Sequence, residues 1–185
     1  MKLRKGIGIL HKLKEFVTQG TLRSLYYSFI HPYIDYNLLN WSSAPPTNLK
    51  CIELSIKKAV RTILSKNKRK HFLPFFKELN ILPLNELIKL RRATYMWKLK
   101  NNILPSSLSE MFQINAAEIP NRTHTDIINN THPTIYLLPQ PRLEYAARHI
   151  TYTGVGVWNN ELPNILKQST SSLIFKKKYQ KLLLS

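Results

Sequence analysis

The chain has 185 residues, 43% of them hydrophobic, and its 28 Lys and Arg side chains against 10 Asp and Glu give a net charge of +18. The hydrophobic fraction excludes a wholly disordered polypeptide and is enough for one domain or two small ones. The single cysteine, Cys51, excludes an intramolecular disulfide and any zinc site built from several cysteines. A folded domain with this excess of positive charge typically meets a polyanion, either nucleic acid or an acidic membrane surface.

The positive charge is concentrated near the beginning of the chain. Residues 1–70 carry 14 basic and 3 acidic side chains, whereas residues 116–150 carry 3 of each. A polyanion should therefore meet the first third and the C-terminal end. The first segment is basic and amphipathic, but its apolar stretch at residues 6–10 is too short for a signal-peptide core. We expect an intracellular protein of the nucleus or cytoplasm, neither secreted nor in a membrane; a mitochondrial presequence is a less favoured alternative.

Helical periodicity dominates the first two-thirds of the sequence, and it begins with a first helix whose pattern Gly20 breaks. Thr21 is predicted to cap a second helix, which ends near Ile30 ahead of Pro32. Asn48 is predicted to cap the clearest helix, which runs to Leu64. Apolar residues on the inner faces of these three helices are Ile7, Leu10, Leu13, Phe16 and Val17, then Leu22, Leu25, Tyr26 and Phe29, then Leu49, Ile52, Ile56, Ala59, Val60 and Ile63.

The later elements complete a mainly α fold, a thumb-like helical bundle followed by a connector and a small α(+β) C-terminal segment. A long helix is predicted from Leu84 to Lys100, with Leu87, Ile88, Tyr95 and Leu99 facing inward. Ser171 or Ser172 is predicted to cap a last helix, with Phe175, Tyr179 and Leu182 facing inward. The regions are 1–70, basic and helical; 71–114, a helical extension; 115–145, a partly ordered connector rich in Pro and Asn; and 146–185, the C-terminal segment.

The stretch GVGVWNNELP, residues 154–163, resembles a phosphate-binding loop at first sight. It lacks the third glycine of a dinucleotide fingerprint and the Lys of a P-loop, so a structural role is favoured. We predict that Gly154 and Gly156 let the backbone turn tightly, in a hairpin-like turn or a broken helix, and that Trp158 anchors the turn to the core. Asn159 or Asn160 would cap a short helix that Pro163 limits.

Catalytic chemistry has little support in the sequence. The only aspartates are Asp35 and Asp126, and no two acidic residues stand closer than eight positions apart, so paired carboxylates for two-metal phosphoryl chemistry are lacking. No two histidines stand three or four positions apart. We therefore expect no catalytic residue, no metal ligand and no cofactor in this chain.

The basic cluster formed by the helix 48–64 and the following loop SKNKRKH is the clearest functional signal. Lys and Arg neutralise backbone phosphates and release counterions, which makes such binding sensitive to salt. A solvated basic loop or a nuclear-localisation patch are the alternatives. The predicted nucleic-acid contacts are Lys50, Lys57, Lys58, Arg61, Lys66, Lys68, Arg69 and Lys70.

The order of the motifs along nearly the whole chain resembles a known family. The series resembles the region downstream of the catalytic palm in reverse transcriptases of non-LTR, LINE-type retrotransposons, especially the Jockey-like group. Each motif alone is weak evidence for the resemblance, whereas six motifs in the same order are specific to the family. The six are GIGILHKLKEFV, TLRSLYYSFIHPYIDYNLLNW, LKCIELSIKKAVRTIL, HFLPFFKELNILPLNELIKLRRATYMWKLKNNILPSSLSEMF, GVGVWNNELP and SLIFKKKYQKLLL.

The resemblance implies a thumb-like region up to about Ile63, of the kind that grips a primer–template duplex. The family's Tyr-x-Asp-Asp motif and its Mg²⁺ belong to a palm domain that this sequence lacks. The chain is therefore expected to be a truncated element or partial gene product that is no enzyme alone. It would bind the backbone of RNA, DNA or an RNA–DNA duplex, with a palm domain in trans as a candidate partner. The alternatives are a non-catalytic helical module that packs on a palm domain or partner protein, and an enzyme completed by carboxylates in trans.

Overall fold

The computed structural model describes residues 2–65, 73–114 and 135–185, which are mainly helical, so the mainly α prediction is confirmed. No β-strand occurs within these ranges, and their β structure is an isolated antiparallel bridge between Ile114 and Tyr136. The chain divides into two compact units, Met1–Leu87 with Leu183–Ser185, and Ile88–Leu182. The sequence placed the first boundary at residue 70. The first unit extends beyond it because the helix Leu73–Leu79 packs against the helix Pro46–Leu64.

Within residues 2–65 and 73–87, the first unit contains six helices and the first turn of a seventh. Helix α1 packs against both α2 and α5, and α6 packs against α5. Ile7 and Leu10 of α1 are buried, as are Leu22 and Tyr26 of α2. The helices are α1 (Lys2–Leu13), α2 (Gln19–Phe29), α3 (His31–Asp35), α4 (Leu38–Trp41), α5 (Pro46–Leu64) and α6 (Leu73–Leu79).

Two predicted helix caps lie a few residues from the caps in the structure. The N-cap of α2 is Thr18, whose hydroxyl accepts the Thr21 N–H at 3.3 Å, so Thr21 lies inside the helix. Helix α5 begins at Pro46 rather than Asn48. Proline suits the first helical position because its missing N–H would have no intrahelical partner there.

The inner faces of these helices are largely as predicted, with two exceptions at helix ends. Phe16 and Phe29 are 82% and 46% exposed. Phe16 lies beyond the last residue of α1, and Phe29 is the last residue of α2. Helical spacing therefore no longer directs either ring towards the core. The predicted stripe of α5 is buried at Ile56, Ala59, Val60 and Ile63.

The second unit is centred on aromatic side chains. Trp97 and Phe175 stack with ring centroids 6.1 Å apart, and the Trp97 indole N–H donates to the Ser169 carbonyl at 3.0 Å. The Ser171 hydroxyl accepts the Leu173 N–H at 3.3 Å, as predicted for a cap, while Leu182 is 45% exposed rather than inward. The helices here are α7 (Leu84–Lys100, as predicted), α8 (Ser106–Ser109), α9 (Glu144–Ala147), α10 (Ile150–Gly156), α11 (Asn164–Lys167) and α12 (Ser172–Leu184).

The GVGVWNNELP stretch is helical, so the predicted turn and the predicted helix break are both wrong. Gly154 and Gly156 lie in α10, neither has a positive φ, and the chain continues directly into a π-helical turn, Val157–Glu161. A Cβ on Gly154 would lie 2.8 Å from Ile150 Cδ1 and 3.3 Å from Met96 Sδ. Gly154 thus serves close packing rather than turning. Trp158 is fully buried, as its predicted anchoring role requires.

Asn159 joins the π-helical turn to an extended segment earlier in the chain. Its Nδ2 donates to the Tyr136 carbonyl at 2.8 Å, and its Oδ1 accepts the Tyr136 N–H at 3.3 Å. The amide therefore satisfies both peptide groups of a buried residue instead of capping a helix. Leu162 then adopts extended dihedrals, φ −87° and ψ 121°, as the residue before Pro163 prefers.

The two glycines of α10 should respond differently to substitution by alanine. Gly156→Ala meets no heavy atom within 4 Å and has helical dihedrals, so it should stabilise the protein by about 0.5–1 kcal/mol. Gly154→Ala should not increase the stability in this way, because its Cβ must displace Ile150 and Met96. Thermal unfolding of both variants measures the difference. Equal stabilisation by the two substitutions would contradict the close packing at Gly154.

The pairing of Asn159 with Tyr136 predicts a pH-dependent defect in Asn159→Asp. A carboxylate cannot donate to the Tyr136 carbonyl, so the variant should lose about 1–3 kcal/mol of stability at pH 7. Below about pH 4 the protonated acid regains one donor, and the difference from wild type should shrink. Denaturant unfolding across this pH range tests it, and a defect that does not change with pH would contradict the assigned donor.

Candidate nucleic-acid interface

Helices α1 and α5 line two adjoining cavities of about 590 and 620 Å³. Three residues, His11, Leu54 and Lys58, line both, so the cavities form one surface, which we call the α1–α5 groove. The other lining residues are Arg4, Ile7, Gly8, Lys12, Cys51 and Ser55 in the first cavity, and Lys14, Arg61, Thr62 and Ser65 in the second.

The periodicity of both helices explains the position of the groove. Each helix turns its apolar side towards the core, where Leu10 of α1 and Val60 of α5 are fully buried. Residues at spacings of three and four lie along one helix face, so the lining residues of each helix form a continuous row beside the core. From Cys51 to Thr62 the row on α5 extends about 17 Å at 1.5 Å per residue.

The groove is strongly basic. Lys and Arg side chains come from both helices, and His11 lies where the two cavities meet. Among the described residues that line the groove, none is acidic. Charges of one sign along a cleft concentrate counterions of the opposite sign and attract a polyanion. The cationic lining residues are Arg4, Lys12, Lys14, Lys58 and Arg61.

The structure separates the contacts predicted on α5 into two groups. Lys58 and Arg61 line the groove. Lys50 is exposed but lines neither cavity, and half-buried Lys57 forms an ion pair with Glu53, one turn earlier. The remaining predicted contacts lie outside the described residues; they are Lys66, Lys68, Arg69 and Lys70.

Sequence reasoning missed the contribution of α1. Arg4, His11 and Lys12 of α1, with Lys14 just beyond its end, are four of the six basic lining residues, but none was among the predicted contacts. The available signal was the basic, amphipathic character of this segment, which predicted a polyanion contact for the first third of the chain but no particular residue of α1. Helical spacing places Arg4 and His11 on one face of α1. It does not reveal that this face lies beside α5.

The groove also has an apolar component. Ile7 and Leu54 line the first cavity, and Leu54 remains 56% exposed. A large aliphatic side chain left this exposed beside basic residues suits a ligand with both anionic and apolar parts. The second cavity combines cationic residues with the hydroxyl-bearing Thr62 and Ser65.

Several basic side chains of the second unit have partners within that unit. Lys89 pairs with Glu161 at 3.1 Å, and the Lys100 ammonium donates to the Lys167 carbonyl at 2.9 Å. Lys167 is 4% exposed, with its Nζ 5.8 Å from the centre of a Trp158 ring. Burial, and then the positive charge of Lys100, lower the pKa of Lys167. These three lysines therefore make contacts within the second unit.

Comparison with protein-family models, with curated proteins and with solved structures gives no match for this chain. The resemblance to reverse transcriptases therefore stays a prediction that depends on the order of the sequence motifs. Among the described residues, no three His, Cys, Asp or Glu side chains come together as a metal site requires. Nor does any helix in these ranges have the length and hydropathy to cross a bilayer.

Proposed function

We propose that the chain binds the sugar–phosphate backbone of RNA, DNA or an RNA–DNA duplex through the α1–α5 groove. The observation that carries the proposal is the basic lining drawn from two helices without an acidic side chain among its described members. Contacts from Lys and Arg to phosphates position a nucleic acid without reading its sequence. Binding should accordingly be independent of sequence.

The charge of the groove sets the expected dependence on salt. Each neutralised duplex phosphate contributes a slope of about −0.9 in log affinity against log salt, so five Lys and Arg contacts give about −4.5. Such a slope corresponds to a loss of about 10² to 10³ in affinity between roughly 50 and 200 mM salt. A ligand held mainly by apolar contacts would not weaken in this way, because burial of apolar surface is not screened by salt.

We further propose that the chain is the thumb and C-terminal part of a non-LTR retrotransposon reverse transcriptase. The order of six motifs supports this origin, and a duplex-gripping thumb accords with the basic groove. With two aspartates in the whole sequence, Asp35 and Asp126, the chain lacks the carboxylate pair that polymerisation requires. Purified protein should therefore not extend a primed template with dNTPs and Mg²⁺ unless a palm domain is supplied in trans.

A second candidate function is a helical module that packs on a palm domain or partner protein. The observation in its favour is the exposure of large apolar side chains on the first unit, including Phe16, Tyr36 and Leu54. In this case the partner would cover apolar surface, and salt would have little effect on the affinity. The salt slope therefore distinguishes the two functions.

Two double variants of α5 test the proposed interface with the same change in charge. Lys58→Ser with Arg61→Ser removes two cations that line the groove, whereas Lys50→Ser with Lys57→Ser removes two that do not. The groove variant should reduce the magnitude of the salt slope by about 2, because two phosphate contacts are lost. Titration of a fluorescent RNA–DNA duplex by anisotropy at several salt concentrations measures each slope.

The matched control separates a local contact from a general effect of net charge. The Lys50 and Lys57 variant should retain a slope close to that of wild type. If both variants lose the same amount, the groove is not the binding surface. If wild type binds with no salt dependence, or does not bind at low salt, nucleic-acid binding itself is contradicted.

A further inference from the structure

Two glycines stand inside α1, and only one of them has a packing role. A Cβ on Gly6 would lie 3.0 Å from Ile30 Cγ1 and 3.3 Å from the Phe29 carbonyl oxygen. A Cβ on Gly8 would meet no atom within 4 Å. Gly6 is thus needed for the close approach of α1 to the end of α2, whereas nothing around Gly8 in the described structure requires a glycine.

The open space beside Gly8 belongs to the α1–α5 groove. Gly8 lines the first cavity together with Arg4 and His11, which lie one turn before and about one turn after it on the same face of α1. Across the cavity stand Cys51 and Ser55 of α5. The missing side chain therefore leaves the backbone of α1 uncovered between two side chains that can contact a phosphate.

A glycine in a helix interior is unfavourable relative to alanine, because glycine loses more backbone freedom when the chain folds and buries less surface. Alanine at position 8 would fit the fold and strengthen α1. Close approach of a ligand to the backbone is a physical reason for a residue without a side chain, as where a glycine lets a backbone approach a pyrophosphate.

We propose that Gly8 is a ligand-contact position, at which one sugar–phosphate strand lies directly against the backbone of α1 between Arg4 and His11. This inference rests on the proposed function and deepens it, since it names the point of closest approach. The charge of Arg4 favours an anionic backbone, the ring of His11 can donate a hydrogen bond to a phosphate, and the absent side chain makes room for the strand. A methyl group at position 8 keeps every charge in the groove but holds the strand away.

The substitution Gly8→Ala gives opposite effects on stability and on binding. It should raise the Tm by about 2–4 °C and weaken the affinity for an RNA–DNA duplex about tenfold at fixed salt. Gly8→Leu, which fills more of the cavity, should weaken the affinity further. The matched control is Gly20→Ala in α2, because Gly20 also has open space, with Thr18 Oγ1 at 3.9 Å, and lines neither cavity of the groove. It should leave the affinity unchanged.

Anisotropy titrations and thermal melts on the full chain distinguish the outcomes. A Gly8→Ala protein that binds duplex as tightly as wild type overturns this inference alone and leaves the basic groove as the interface. A Gly8→Ala protein with a lower Tm overturns it too, because the fold would then need the glycine. If wild-type protein shows no salt-sensitive binding, the proposed function and this inference fail together.

Discussion

The packing of α1 against α5 is the constraint on which the candidate interface depends. Ile7 and Leu10 of α1 are buried at 5% and 0% exposure, and full burial of each such side chain contributes about 1.5–3 kcal/mol. Gly6 lets α1 approach closely beside Ile30, which is itself fully buried. These contacts fix the rotation of α1 and so place Arg4, His11 and Lys12 beside the basic edge of α5. A shift of α1 by one residue would turn its basic face away.

The same packing places cations of both helices along one groove, and their mutual repulsion is unfavourable for the isolated protein. Two unit charges about 4 Å apart repel by about 1 kcal/mol in water, and by more where the surroundings are less polar. Glu53 pairs with Lys57, and Glu15 lies 3.9 Å from the ammonium of Lys14, but no acidic residue lines the groove itself among the described residues. Apolar burial between the helices offsets this repulsion. A polyanion in the groove removes it, so the chain should be more stable with nucleic acid than without it.

The sequence predicted the features that depend on local periodicity, including the bounds of α7 and the buried side of α5. It failed where the reason for a residue lies far along the chain. Gly154 has no side chain because Met96 packs against that position, and Asn159 pairs with Tyr136, 23 positions earlier. Half of the groove was missed for the same reason: Lys58 and Arg61 were recognisable in a basic helix, but their partners on α1 are defined only by tertiary packing.

Cys51 allows a direct measurement of where nucleic acid binds. It is exposed, it lines the groove, and it is the one cysteine of the sequence, so a maleimide reports on this surface alone. Saturation with RNA–DNA duplex at low salt should slow labelling of Cys51 about tenfold or more, and raised salt should restore the rate as the counterion atmosphere competes. Unchanged labelling under conditions where anisotropy shows the duplex to be bound would contradict the assignment of the α1–α5 groove as the interface.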